Sequence, residues 1–264
     1  MKLGSKTTEA PPLDVATLTI DIGGSGLKAS VLDSVGKILV PRVRVQTPDP
    51  CTPEILLDAI AGLVASLPPF DRISVGFPGV VRDGRTLTAP HFETSAWCDF
   101  PLAAALSERL DRPVRMLNDA EVQGFGIIKG HGLELVLTVG TGAGTALFRD
   151  GALMPHLELA QHPVHGHLTY NDYIGAHALR HKGKKKWSRH VRKTITILQS
   201  LLHYDVIYLG GGNADKVDGL APDIRIVSNQ AGITGGIRLW DIEVGQTLFQ
   251  DRGTDTSATR VGAG

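Results

Sequence analysis

The chain has 264 residues, 42% hydrophobic and 20% charged, enough for one large globular domain or two lobes. Its 27 basic and 27 acidic residues give a formal net charge of zero, so no global field draws it to nucleic acid or an anionic membrane. No apolar run reaches membrane length, and the two cysteines, Cys51 and Cys98, lie far apart, which fits a reducing compartment and a cytoplasmic location.

Residues 1–14 are polar, lack a signal-peptide apolar core and read as a flexible tail. A first lobe is expected over 15–118. It opens on a buried strand through Leu18 and Ile20 to Asp21, then the turn Gly23-Gly24-Ser25-Gly26, then a second strand carrying Lys28. A third strand is expected over 37–40, so the glycines lie within a β-hairpin. Exposed glycine N–H groups let a phosphate approach the backbone. A carboxylate at the strand end, Asp21, can hold Mg²⁺ directly or through water. Gly24-x-Gly26-x-x-Ala29 also fits the dinucleotide fingerprint, but that motif needs a helix after the turn and an acidic residue ending the next strand. Here the following residues are strand-like and Asp49 lies in a proline-flanked loop. A glycine-rich hairpin with no ligand is the plain alternative.

Thr52-Pro53-Glu54 supplies a capping hydroxyl, a first-turn proline and an acid for a helix over 54–67. A short strand over 72–77 runs into the turn Pro78-Gly79-Val80-Val81. Residues 82–99 read as a long irregular loop, the kind that carries function or lacks order. A helix over 102–110 and a strand over 113–117 follow, closed by Asn118-Asp119 and a helix over 120–128. A carboxylate at a strand end beside a cleft can take a proton from a hydroxyl that attacks a phosphoryl group. The neighbouring amide can donate and accept toward a second hydroxyl. Asn-Asp is equally a helix cap, and these residues alone do not choose between the two.

A second lobe is expected over 119–230. Its hairpin over 134–148 repeats the layout of the first, with Thr138, Gly140, Thr141, Gly142 and Gly144 around the turn; two such hairpins suggest similar lobes facing one cleft. Residues 152–169 are irregular and histidine-rich, and 170–180 read as helical. Trp187, Val191, Ile195, Leu198 and Leu202 form one apolar helical stripe. The basic run from Lys182 to Lys193 in its first half is a solvated face or a path for a long polyanion. A strand over 205–209 ends in Gly210-Gly211-Gly212, where a flat ring can lie on backbone. A strand over 224–228 and a last helix over 231–240 complete the pattern. The tail from 245 to 264 is polar and expected to be flexible.

The two glycine hairpins and the glycine triplet resemble the phosphate-1, phosphate-2 and adenosine motifs of the actin-like sugar kinases. Asp21-Ile22-Gly23-Gly24-Ser25-Gly26-Leu27-Lys28 and Asn118-Asp119-Ala120 are most similar to the ROK family, and within it to polyphosphate/ATP glucokinases. The resemblance implies an α/β, two-lobed actin-like ATPase (ribonuclease H-like) fold with an active-site cleft between lobes. A helix over about 231–242 would return to complete the first lobe. It implies a kinase passing a terminal phosphoryl group from ATP or polyphosphate to the 6-hydroxyl of glucose, with Mg²⁺ at Asp21 and Asp119 as general base.

By the same resemblance, Asn118, Gly79, His91, Glu158, His162 and Asn171 face the sugar. The turns at Gly23–Gly26 and Gly140–Gly144, with Lys28 and Thr138, hold phosphates, and Gly210–Gly212 border the nucleoside. Three positions depart from the family. His91 follows Ala89-Pro90 where an Asn is usual, the Glu-x-Gly-His segment becomes Glu158-Leu-Ala-Gln-His162 with one residue inserted, and Asn171 stands for a later Glu. The family's zinc-binding cysteine run is missing, so no zinc is expected; His156, His162, His165 and His167 read as hydrogen-bonding loop residues rather than metal ligands. A homodimer is implied, with no nucleic-acid or membrane partner. A kinase for another hexose or an amino sugar, or a non-catalytic sugar-binding protein, stands as the alternative.

Overall fold

The computed structural model describes residues 15–92, 94–228 and 231–241. The stretches read as tails, 1–14 and 245–264, lie outside the described residues. In the first half the chain runs β1 (Thr17–Gly23), β2 (Gly26–Leu32), β3 (Val43–Val45), α1 (Pro53–Val64) and β4 (Arg72–Phe77). The two-residue strands β5 (Val81–Arg82) and β6 (Arg85–Thr86) follow, then α2 (Thr94–Trp97), α3 (Leu102–Leu110) and β7 (Val114–Asn118). The main sheet has the order β3-β2-β1-β4-β7. β1 pairs antiparallel with β2, from Thr17 opposite Leu32 to Gly23 opposite Gly26, and parallel with β4.

The second half runs α4 (Asp119–Phe125), β8 (Leu133–Val139), β9 (Ala143–Arg149) and β10 (Ala152–Leu153). It continues with a small ribbon of β11 (Pro163–His165) and β12 (Leu168–Thr169), then α5 (Tyr170–Ile174), α6 (Ala176–Lys182) and α7 (Lys184–Leu202). β13 (Val206–Gly210), β14 (Arg225–Ile226) and α8 (Ala231–Thr234) come last, α8 passing into a 3₁₀ turn over Gly235–Trp240. The second sheet, β10-β9-β8-β13-β14, repeats the order and the strand directions of the first. This is the two-lobed actin-like α/β architecture, with each glycine turn at the same place in its sheet. The antiparallel β1–β2 pairing excludes a dinucleotide-binding βαβ unit.

Each sheet has its own apolar cluster, one around Leu18, Ile60, Phe77 and Trp97, the other around Leu137, Trp187, Val191 and Leu198. Helix α4 lies between them, touching β4 and β7 on one side and β8 and β9 on the other. Gly124 makes the second contact possible, because a Cβ there would lie 2.4 Å from the Phe148 ring. The segment after α8 presses on the same helix and returns to the first sheet. A Cβ on Gly235 would lie 1.9 Å from the Val122 carbonyl oxygen, and Ser74 Oγ donates to Gly236 O at 2.6 Å. The guanidinium groups of Arg72 and Arg115 sit over the Trp240 ring. Among the described residues no helix is long and apolar enough to cross a membrane.

Four expectations need correction. The third strand is Val43–Val45, not 37–40. Leu39 N–H does reach Val31 O at 2.8 Å, but Pro41 has no N–H to donate, so the ladder resumes only beyond it. The described residues of the expected loop, 82–92 and 94–99, are held by tertiary contacts. Trp97 is fully buried, packs at a tilt against Phe77 and Phe92, and donates its indole N–H to Cys51 O at 2.8 Å. The helix expected over 170–180 breaks at Gly175, whose extended backbone passes so near Asn171 O that a Cβ would lie 2.5 Å away. The final helix is a short α-turn followed by a 3₁₀ turn, since Gly235 and Gly236 must fit against α4, Thr19 and Ser74.

Candidate active site

A cleft of about 480 Å³ opens between the two sheets. One wall is the β1–β2 turn, with Asp21, Gly23, Gly24, Ser25, Gly26 and Lys28. Opposite it lies the β8–β9 turn, with Thr138, Gly140, Thr141, Gly142 and Gly144, and beside that Gly211 and Gly212 after β13. The floor is the end of β7, with Asn118 and Asp119. His91, Gly79, Glu158 and Asn171 line the remaining edge.

The cap question at Asn118-Asp119 resolves by division of labour. Asn118 is the N-cap of α4: its Oδ1 accepts from Ala120 N at 2.9 Å, and its own N–H donates to Glu121 Oε2 at 3.0 Å, completing a capping box. Its Nδ2 donates to Gly79 O at 3.0 Å, fixing the turn after β4. Asn118 thus spends its polar atoms on positioning. Asp119 is the first residue of the helix and is half-buried at the cleft floor, with Oδ1 accepting from Ala120 N at 2.8 Å. Burial pushes its carboxyl up to about 7, and the negative charges of Asp21, Glu121 and Glu158 add to the rise against that one hydrogen bond. A carboxylate near neutrality is suited to exchange a proton at ordinary pH.

Asp21 faces the same space. Its Oδ2 pairs with Lys28 Nζ at 2.7 Å across the β1–β2 register. Asp21 offers the cleft one carboxylate whose negative charge is felt at Asp119, and among the described residues no group of three or more His, Cys, Asp or Glu side chains stands ready to hold a metal. Gly140 has open surroundings, with nothing within 4 Å of a Cβ, so protein packing does not demand the glycine. Gly211 is demanded by packing, since its φ is +88° and a Cβ would lie 2.6 Å from the Val139 backbone, while a Cβ on Gly142 would displace Asn171 Oδ1, 2.5 Å away. Asn171 Oδ1 also accepts from Ala143 N at 2.7 Å, so this residue braces the second turn from its place on the cleft edge.

Two expected residues fall outside the cleft lining, His162 and Gly210. A 3₁₀ turn over Leu159–Gln161 carries His162 past the cleft to an exposed position near Tyr170, while Ala160 lines the cleft instead. Gly210 faces Gln123. His91 packs on the first turn, its Cβ 3.0 Å from where a Gly24 Cβ would be. Its ring is held below the usual histidine range by desolvation, against the pull of Glu158.

Sequence reasoning missed Arg44, Gln123, His156 and Asn213, all of which line the cleft. Arg44 arrives on the edge strand β3 and lies against Gly26. Gln123 follows Asp119 by one helical turn, a spacing that was available as a signal. The basic run on α7 lines no part of the cleft; Lys184 pairs with Asp218 Oδ1 at 2.8 Å, and Lys185, Lys186 and Arg189 are exposed.

Comparison with known proteins gives the same picture. Polyphosphate glucokinase from Mycobacterium leprae is 30% identical over 252 residues, covering 86% of this chain and 77% of that one. The crystal structure of an inorganic polyphosphate/ATP-glucomannokinase from an Arthrobacter strain superposes with a TM-score of 0.77 at 32% identity, over 85% of this chain and 97% of that one. A ROK family glucokinase from Streptomyces griseus, solved with glucose and AMPPNP, has the same fold, with a TM-score of 0.69 at 21% identity over 85% of this chain and 98% of that one. The profile described as "ROK family" matches residues 17–178, a span that holds both glycine hairpins, Asp119 and Glu158. With those motifs walling one cleft and that span matched, the chain belongs to the ROK family.

Proposed function

We propose that this ROK family sugar kinase transfers the terminal phosphoryl group of ATP or inorganic polyphosphate to the 6-hydroxyl of glucose. The observation that carries the reading is Asp119, raised toward neutrality on the floor between two glycine turns. The names of the Mycobacterium and Arthrobacter relatives support both donors. The two turns grip the donor's phosphates, and Gly211 and Gly212 border a nucleoside when one is present. Asp119 accepts the proton of the 6-hydroxyl as that oxygen bonds to the terminal phosphorus. The bond from phosphorus to the bridging oxygen breaks, leaving ADP or a shortened polyphosphate. Asp21 would hold Mg²⁺, which supplies neutralising charge on the phosphoryl oxygens. Lys28, already paired with Asp21, keeps that carboxylate aimed at the cleft. Glu158 and His91 contact sugar hydroxyls, and a homodimer belongs to the same proposal.

A coupled assay of glucose phosphorylation, with ATP and polyphosphate run side by side, tests the reading. Turnover with either donor that Asp119→Asn removes supports it. Sugar binding without turnover, across several sugars and donors, would replace it with a non-catalytic sugar-binding role. A second acceptor reading has two observations in its favour: His162 lies outside the cleft and His91 stands where the family resemblance expects Asn, so the sugar end of the pocket differs from a standard glucose site. A panel including mannose and amino sugars separates the two.

A further inference from the structure

Outside the phosphate turns and Asp119, the cleft contains a chain of contacts that ends on Glu158 and includes two side chains, Glu121 and His156, to which the mechanism gives no part. Glu121 is buried, its side chain 4% exposed, on the first turn of α4. One carboxylate oxygen, Oε2, accepts the Asn118 N–H at 3.0 Å and the other, Oε1, meets His156 Nδ1 at 2.8 Å. On the far side of that ring, Nε2 lies 3.4 Å from Glu158 Oε2. A neutral imidazole has one N–H and can donate to one carboxylate; only the imidazolium can donate to both. The flanking carboxylates raise His156 to about 9 despite its burial, so the doubly protonated ring is the form present at neutral pH.

We propose that His156 is a positioning residue: as an imidazolium strapped to Glu121, it fixes the carboxylate of Glu158 at the acceptor end of the cleft and thereby sets affinity for the sugar. This rests on the reading of Glu158 as a sugar contact. Two side chains that the mechanism leaves idle thereby gain a role. The cap of the helix that begins at Asp119 and the carboxylate that meets the sugar are joined by one bridge, so the base and the acceptor share a common reference. Glu121 supplies the fixed end, since its other oxygen is held by the capping box.

The groups facing His156 are few. Glu121 comes from α4 and Glu158 from its own segment, while β8, β9 and α7 bring only uncharged side chains around it. Asp119 and His91, elsewhere in the cleft, titrate near 7 and below the usual histidine range respectively. Lys28, the other cationic side chain at the cleft besides Arg44, lies on the β1–β2 turn paired with Asp21, so an alkaline limb in sugar affinity is assigned to His156 when it follows the titration of that ring itself.

The test compares glucose affinity by calorimetry and steady-state KM in the full-length protein, its His156→Ala and Glu158→Gln variants, and the double variant. Losing charged hydrogen bonds of this kind is expected to weaken sugar binding by about 10- to 100-fold. Donor KM should stay within about twofold, and the double variant should bind sugar no more weakly than the worse single. If His156→Ala fails to fold because Glu121 is left unpaired, Glu121→Gln/His156→Gln removes the bridge without stranding a buried charge. In the unmodified protein, glucose affinity should hold steady from neutral pH and fall as the imidazolium, followed by ring-carbon NMR, loses its proton.

Unchanged sugar affinity in the His156 variants, additive losses, or a shift in donor KM instead would overturn the proposal. A Glu158→Gln variant with unaltered glucose affinity would remove its foundation. A protein that binds and turns over no sugar at all would instead sink the kinase reading itself.

Discussion

Asn118 Nδ2 donates to the carbonyl of Gly79 at 3.0 Å, joining the residue that caps α4 to the turn that closes β4. Through that bond the floor of the cleft and its rim move as one body. Asn118→Ala removes both the cap and the tether. It should cost about 1–3 kcal/mol of stability, read by chemical denaturation, with a fall in kcat as Asp119 loses its fixed backbone. Asn118→Asp keeps the acceptor for Ala120 N–H but loses the donors, so it should recover part of the stability and little of the activity.

Asp119→Asn should lower kcat by about 10²- to 10⁴-fold, the range expected when a positioned base is removed. Its effect on stability has the opposite sign. Because Asp119 titrates near 7 in the folded chain and near 4 when unfolded, the folded form binds the extra proton between those values. Stability therefore falls as pH rises through that window, and the Asn variant lacks this loss. Thermal melts from pH 4 to pH 8 should show the variant gaining on the parent protein as pH increases; the reverse slope would contradict the raised value.

The acid limb of kcat/KM should reflect the same group, with activity rising as pH climbs toward about 7. Asp21 is the largest charge contribution to that raised value, so Asp21→Asn should move the limb to lower pH as well as reducing its height. NMR titration of labelled aspartate gives the shift directly, apart from the loss in rate. A limb that stays in place would show that Asp21 does not act on Asp119.

Two glycines in the cleft should respond in opposite ways to alanine. Gly79→Ala places a methyl group 2.1 Å from Thr88 O and should destabilise the protein by about 1–3 kcal/mol, as overpacking does. Gly140→Ala meets nothing within 4 Å, so its melting temperature should hold. If donor phosphates approach that backbone, the new methyl group should raise donor KM and leave sugar KM alone.

Much of the architecture was legible because it is written in local patterns. Alternating apolar residues flanking Gly23–Gly26 and Gly140–Gly144 specify two hairpins, and their recurrence specifies two like lobes. What was not legible depends on distant contacts. Nothing near Trp97 in the sequence announces that its indole will be buried and bond to Cys51 O. The break at Gly175 is set by Asn171 O and Thr141 O, which crowd it only in the folded chain. His162 was misplaced because a single 3₁₀ turn changes which side chain reaches the cleft. His156 was visible only as one histidine among several, since its meaning comes from Glu121, far away along the chain.

The glycine pair that seats residues 235 and 236 against α4 and Ser74 bears on the order of events during synthesis. The helix bearing Asp119 rests between two sheets, yet one flank is covered only when 231–240 arrive. A ribosome that has already made every catalytic residue still holds a protein whose central helix lacks its backing. Activity should therefore appear late, on release of the last turn, and not in step with completion of the cleft.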